Sequence, residues 1–235
     1  MSCNIPRVKP FELLGQTIAP DGAVLKLVRR GDEYLILTDG AVLMTSRMHG
    51  SEEALATLAC EGMRGRKQAR ALIGGLGMGF TLRATLDLLP ADATVVVAEL
   101  VPAVVEWNRG PLGALAGHPL KDERVRVETE DVAETLRSAG RSGSGQFDAV
   151  MLDVDNGPDA FTAANNARLY DERGIAVVRA ALKTGGVLAV WAVREDRKFV
   201  ERLRKGGFDV EVRRVRGRLG KGGPRHIVFL GRKSE

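Results

Sequence analysis

The chain is poor in the residues that staple small folds or hold metals. Among 235 residues there are two cysteines, Cys3 and Cys60, and neither sits in a CxxC pair. That spacing argues against a disulfide framework or a zinc site, and makes a reducing cytoplasm the expected compartment. The three histidines, His49, His118 and His226, are scattered without metal-ligand spacing, so no metal is expected. No apolar run approaches the ~20 residues of a membrane span, and MSCNIPRVKPFELLG has no apolar h-region. Neither a membrane segment nor a signal peptide is therefore expected. Aromatic residues make up 5% of the chain. The C-terminal arginines (Arg213, Arg214, Arg216, Arg218, Arg225) have no stacking series beside them, so nucleic acid is not an expected partner.

What remains is ordinary for a globular protein. The apolar share is 44% and the charged share 28%. The length suits one main domain plus a small appendage, with a core large enough to need no staples. A net charge of +5 is compatible with an acidic partner without demonstrating one.

Two regimes follow one another. In AVLKLVRRGDEYLILTDGAVLMTS, alternation at Val24, Lys26, Val28 and at Tyr34, Ile36 reads as strand, turn, strand, turn, strand. Arg30-Gly31-Asp32 and Asp39-Gly40 supply the turns. Residues 1–48 are thus expected to form a small antiparallel β unit, too small to stand alone. From SEEALATLACEGM, which opens on a Ser cap, the pattern becomes strands alternating with amphipathic helices over residues 49–235. Strands are expected at Ala69–Gly74, Thr94–Leu100, Arg124–Thr129, Phe147–Asp153 and Gly186–Val193, and helices at Phe80–Leu89, Pro102–Trp107, Val132–Ser138, Arg168–Leu182 and Asp196–Lys205. Runs such as VVVAEL and VLAVWAV are apolar on both faces, which implies a parallel sheet and an open, doubly wound α/β fold. FDVEVRRVRGRL and HIVFLGR have no helix between them and must pair antiparallel at the sheet edge.

ALIGGLGMGFTLR places Gly75, Gly77 and Gly79 between a strand and a helix. The dinucleotide fingerprint needs glycine at position 80, where Phe80 stands, so a pyrophosphate is disfavoured and a nucleoside close to the backbone is favoured. The alternative is tight strand–helix packing. Three acids end neighbouring strands. Glu99 lies twenty residues beyond Gly79, where a carboxylate can accept from ribose hydroxyls. Asp131 can take an adenine amino group or simply cap the helix it precedes. Asp153 finishes the apolar run AVMLD and should face the cleft at the carboxyl ends of the strands.

These segments together resemble the spermidine synthase (polyamine aminopropyltransferase) family, within the Rossmann-like class I S-adenosylmethionine-dependent methyltransferase fold. LTDGAVLMTSRMHGSEEALATLA is similar to the family's N-terminal turn and helix, IGGLGMGFTLR to its glycine motif, and VVVAELVP to the ribose strand. VETEDV is similar to the adenine motif, and FDAVMLDVDNGP to the catalytic strand. The resemblance implies that Gly75, Gly77, Gly79, Glu99 and Asp131 bind S-adenosylmethionine or its decarboxylated form. It implies that Asp153 deprotonates the attacking amine, with Asp155 as its neighbour. Asn156, Tyr170 and Trp191 are expected at the substrate pocket, although Tyr170 can equally cover the core. A homodimer through the N-terminal unit is also implied.

The chain departs from the family at several points. Leu76, Gly77 and Met78 stand where the family carries an amine-binding aspartate, Leu43 replaces a glutamine, Glu52 a tyrosine, and Asn156 a second aspartate. A cationic aminopropyl group beside Leu76 and Met78 would be desolvated without compensation. A methyltransferase acting on an amine or other small nucleophile is therefore the leading expectation. An aminopropyltransferase with an altered pocket is the alternative, and a non-catalytic nucleoside-binding homologue the third.

Overall fold

A computed structural model describes residues 10–141, 145–154, 167–218 and 223–234. The expected Asp155 and Asn156 lie outside the described residues, as does most of the RSGSG loop. The N-terminal unit is an antiparallel sheet of four strands in sequence order, β1 (Glu12–Ile18), β2 (Val24–Arg30), β3 (Glu33–Thr38) and β4 (Ala41–Thr45). The β3–β4 turn has both central residues in the left-handed region, Asp39 at φ 48° and Gly40 at φ 84°, as a tight twisted hairpin requires. β1 is a strand that the pattern did not announce. ELLGQTI does not alternate cleanly, and a bulge lies between Leu13 and Gly15. A Cβ on Gly15 would lie 2.5 Å from Trp107 Nε1, so glycine there lets the strand close against the main domain. Leu25, Leu27 and Ile36 point inward and join the core beneath.

The main sheet has seven strands in the order β10-β11-β9-β8-β5-β6-β7. β5 (Arg70–Gly74), β6 (Thr94–Ala98), β7 (Val125–Glu128), β8 (Phe147–Leu152) and β9 (Leu182–Ala192) are parallel. β10 (Phe208–Arg216) and β11 (Arg225–Lys233) are the expected antiparallel pair, with β11 inserted between β9 and the outermost β10. On one face lie α1 (Gly50–Cys60), α2 (Phe80–Leu88), α3 (Pro102–Arg109) and the inner side of the N-terminal sheet. On the other lie α4 (Val132–Arg141), the short α5 (Ala167–Tyr170), α6 (Glu172–Ala181) and α7 (Arg197–Lys205). Phe147, Phe199 and Phe229 are fully buried on this second face, each worth about 1.5–3 kcal/mol relative to exposure.

Two helix boundaries differ from expectation for local reasons. The segment expected as one helix over Arg168–Leu182 breaks at Asp171, whose backbone is extended and whose carboxylate accepts from Gly174 N at 2.8 Å. Asp171 is therefore an N-cap inside an apolar pattern. α1 begins at Gly50 with His49 at its N-cap and no side-chain cap, while the expected cap, Ser51, donates to Glu52 instead. Among the described residues no helix is long and apolar enough to cross a membrane.

Sequential strands β5 and β6 run to one side and β8 and β9 to the other. The order therefore reverses between β5 and β8, and a crevice opens there at the carboxyl ends of the strands, where open sheets of this type bind ligands.

Candidate functional site

The last ladder bonds of the sheet place the expected site residues in one row. Gly75 N donates to Ala98 O at 2.9 Å, Asp153 N to Gly74 O at 3.0 Å, and Glu99 N to Glu128 O at 3.0 Å. The glycine turn, Glu99 and Asp153 thus share the carboxyl edge at the switch point.

All three expected glycines adopt φ between 52° and 87°, a region costly for other residues. Each also meets the chain's own atoms. A Cβ on Gly75 would lie 2.6 Å from Asp153 O, and one on Gly79 2.9 Å from Asn108 Oδ1. On Gly77 it would meet only the mobile end of Met44, at 2.8 Å from Cε. Backbone conformation and close packing therefore account for these glycines without a ligand. Asn108, which the sequence reading passed over, is buried, and its Nδ2 donates to Gly77 O at 2.8 Å and Val104 O at 2.9 Å. It ties the turn to α3.

Glu99 is buried, and both of its oxygens accept main-chain N–H groups: Oε2 from Leu76 and Oε1 from Val101, each at 2.8 Å. Burial pushes its carboxyl up, while the N–H groups of Leu76, Val101, Gly77 and Leu100 pull it down; the net direction is upward. Asp131 caps α4, with Oδ1 accepting from Ala133 N at 2.8 Å. One of its two alternative roles is thus visible in the chain itself.

Asp153 is half-buried and lies on the α1 face, two residues beyond the core residue Met151 on that face. Among the described residues its one side-chain hydrogen bond is a long one, from Thr81 Oγ1 to Oδ2 at 3.3 Å. No Lys or Arg among the described residues pairs with it. Burial, and then the negative charge of Glu52, push its carboxyl up to about 7, against the smaller pull of Thr81. Glu52 is brought there by α1, which packs across α2 and the ends of β8 and β9. Its own carboxyl is raised, first by burial, with Glu53 adding to the rise and Ser51 and His49 opposing it. His49 is engaged next door, with Nδ1 2.7 Å from Glu53 Oε1 and its ring stacked on Phe80 at 4.1 Å. Sequence reasoning missed Glu52 and Thr81. It registered Glu52 only as a lost tyrosine, because the approach of α1 to β8 is a tertiary contact without a local pattern.

The remaining expected pocket residues separate. Leu152 pairs with Val190 across the parallel ladder, so Asp153 and Trp191 occupy the next positions of adjacent strands, on the same face. Trp191 leans on His226 with ring centroids 4.8 Å apart, and its buried Nε1 has no hydrogen-bond partner among the described residues. Tyr170 goes elsewhere. It is 3% exposed on the opposite face, edge-on to Phe199, and its hydroxyl donates to Val154 O at 3.3 Å. Leu76 and Met78 are also buried in the core. Among the described residues no group of three or more His, Cys, Asp or Glu side chains is placed to hold a metal ion.

The row of acids at a reversed strand order defines a class: a doubly wound α/β sheet whose antiparallel strand β11 lies next to the edge and whose carboxyl edge bears the site. The comparisons with known proteins agree with that class and narrow it. No family model matches the chain. It is 29% identical over 177 residues to polyamine aminopropyltransferase 1 of Hyperthermus butylicus, covering 72% of this chain and 56% of that protein. The match thus spans little more than half of the relative's length. Among solved structures, spermidine synthase from Thermotoga maritima superposes with a TM-score of 0.71 at 18% identity, over 94% of this chain and 72% of that one. A spermidine synthase in complex with the transition-state analogue AdoDATO gives 0.68 at 18% identity, with the same coverage. The chain is similar in fold to spermidine synthases, a Rossmann-like sheet carrying an antiparallel N-terminal sheet. The leading expectation of methyl transfer finds no support in these likenesses, which side with the aminopropyltransferase alternative.

Proposed function

We propose that the chain transfers the aminopropyl group of decarboxylated S-adenosylmethionine to a small amine. The observation that carries this reading is Asp153, a carboxyl at the switch point, raised to about 7 and without a cation partner among the described residues. A group in that range takes a proton from an attacking amine near neutral pH, which is the task of a general base here. The likeness to a polyamine aminopropyltransferase supports the donor and the acceptor class.

The argument for methyl transfer rested on missing anionic contacts, and two features weaken it. Leu76 and Met78 are packed in the core, and Glu52 supplies a carboxylate beside Asp153 from another direction. In this reading Glu99 and Asp131 hold the ribose and adenine, and the turn at Gly75, Gly77 and Gly79 lies against the nucleoside. The donor's sulfonium supplies a leaving group already activated by charge. The new C–N bond forms as the C–S bond breaks, the sulfur keeps the electron pair, and Asp153 receives the amine proton. Trp191 walls the acceptor side.

Residues 1–48 are proposed as the unit that pairs two copies. Leu13 and Ile18 on edge strand β1 and Val42 on edge strand β4 are each exposed by more than half, apolar side chains on edges open to pairing. The protein is placed in the cytoplasm, without metal. The test is direct: purified protein is incubated with S-adenosylmethionine or its decarboxylated form and a panel of small amines, and products are read by mass. Gain of an aminopropyl group on a diamine is the expected result. Gain of a methyl group would restore methyl transfer, and nucleoside binding without product would favour the non-catalytic homologue.

A further inference from the structure

Packing explains the glycines of the turn, so what the turn offers a ligand is its peptide groups, and these are held from one side. Leu76 N donates to Glu99 Oε2 at 2.8 Å, and the N–H of Gly77 acts on the same carboxylate. The carbonyl of Gly77 accepts from Asn108 Nδ2 at 2.8 Å. Glu99 lies just before α3 and Asn108 within it, so one unit of the chain grips both the N–H and the C=O of Gly77. Asn108 is itself fixed: it is 1% exposed, and Nδ2 also donates to Val104 O, one turn back on the helix, at 2.9 Å. Two carbonyls before the same atom settle which end of the side chain is nitrogen. Oδ1 is thereby left buried without a partner among the described residues, 2.9 Å from where a Cβ on Gly79 would stand. A buried acceptor left unmet costs stability, and a residue chosen only to fill α3 would not carry it. A second observation lies across the same peptide. A trans peptide bears its N–H opposite its carbonyl. With Gly77 O turned onto α3, the N–H of Met78 is turned toward the other side of β5, where the strand order reverses. Met78 is 2% exposed, and its N–H has no acceptor among the described residues. A buried main-chain donor without a partner is rare, and a ligand in the crevice is the partner the described chain does not provide.

We propose that Asn108 is a positioning residue for the nucleoside: by holding the Gly77 carbonyl against α3, it presents the N–H of Met78 to the bound donor. The proposal rests on the aminopropyl-transfer reading for the identity of that donor. Asn108 acts through the turn and not on a reactant. Glycine adopts either sign of φ with little penalty, so Gly77 by itself does not choose between the two orientations of the peptide that follows it. Released from Asn108, that peptide can turn its carbonyl into the crevice and set an acceptor where the ligand meets a donor.

The test uses calorimetry with methylthioadenosine on the wild type, Asn108→Ala and Asn108→Ser. A serine within a helix donates to the carbonyl one turn back, so Asn108→Ser keeps the bond to Val104 and loses the one to Gly77. Both variants should bind methylthioadenosine about tenfold more weakly, the worth of one buried hydrogen bond. In transfer assays the KM for the nucleoside donor should rise by a similar factor while the KM for 1,4-diaminobutane stays where it is, a split that a general loss of folding would not produce. A folded Asn108→Ser that binds methylthioadenosine as tightly as the wild type would overturn the proposal. Should both variants fail to fold, the wild type still decides by nuclear magnetic resonance: methylthioadenosine must shift the main-chain amide of Met78 and the side-chain amide of Asn108 together. A Met78 amide that stays in place, or one that moves while Asn108 does not, would also overturn it. The two readings fail separately. A wild type that shows both shifts but makes no product sinks the reaction alone. An Asn108→Ser enzyme with normal transfer and an unchanged KM for the donor sinks the positioning role alone.

Discussion

Strand β8 carries an aspartate near each end, and the chain treats them in opposite ways. Asp148, 3% exposed at the amino end, is surrounded by donors: Arg66 Nη1, Lys183 Nζ and Arg70 N each reach it at 2.8 Å. Asp153, just beyond the carboxyl end, has one hydroxyl at 3.3 Å and a second carboxylate for a neighbour. A buried charge is costly unless paired, so the amino end is built as an anchor. The carboxyl end keeps an acid without a cation partner among the described residues where the strand order reverses. Identical side chains on one strand thus separate a structural role from a chemical one by their partners alone.

The comparison can be broken most forcefully at its chemical end. Asp153→Asn should lower kcat/KM for transfer by about 10²–10⁴-fold, the usual worth of a general base. In the wild type the rate should rise with pH through about 7, because the reactive form is the ionised carboxylate. A pH-rate profile checks the sign, since a rate that falls over that range would contradict the role. At the other end, Asp148→Asn strips two cations of their partner. Both cations are well exposed, so the loss is discounted to about 2 kcal/mol. Denaturant unfolding should register it, with transfer per folded molecule unchanged.

Glu99 sharpens the contrast from a third direction. It is buried like Asp148, at the same edge as Asp153, and is satisfied by main-chain N–H groups. Glu99→Gln turns an amide NH₂ toward Leu76 or Val101 N, and should cost about 1–2 kcal/mol and weaken methylthioadenosine in calorimetry. The smallest effect is expected at Tyr170. Its hydroxyl donates to Val154 O, so Tyr170→Phe should cost at most about 1 kcal/mol of stability in denaturant unfolding.

Much of this was legible in the sequence, for identifiable reasons. Apolar runs announced β5, β6 and β8 to within a residue or two, and the absence of a helix between FDVEVRRVR and HIVFLGR announced the edge pair. Glu99 and Asp153 were readable as charges that end such runs. What was not readable depended on contact between distant segments. β1 needs Trp107 to explain Gly15. Asp171 becomes a cap only because the chain turns extended there. The glycines of the turn look like room for a ligand until the carbonyl of Asp153 and the amide of Asn108 are seen against them. Tyr170 could line a pocket or fill a core on pattern alone; its ring packs edge-on to Phe199 while its hydroxyl donates to Val154 O, neither of which the local pattern carries. Glu52 was visible as a departure, but its consequence required α1 to be laid over the end of β8.

The asymmetry of β8 can be measured without any substrate, by following the side-chain carboxyl carbon of Asp153 by nuclear magnetic resonance as pH is varied. A midpoint near 7, falling when Glu52 is replaced by Gln, is the expected result. Ionisation complete below pH 5, unmoved by that replacement, would show that the carboxyl end of the strand is as well neutralised as the other and would remove the basis for a proton acceptor there.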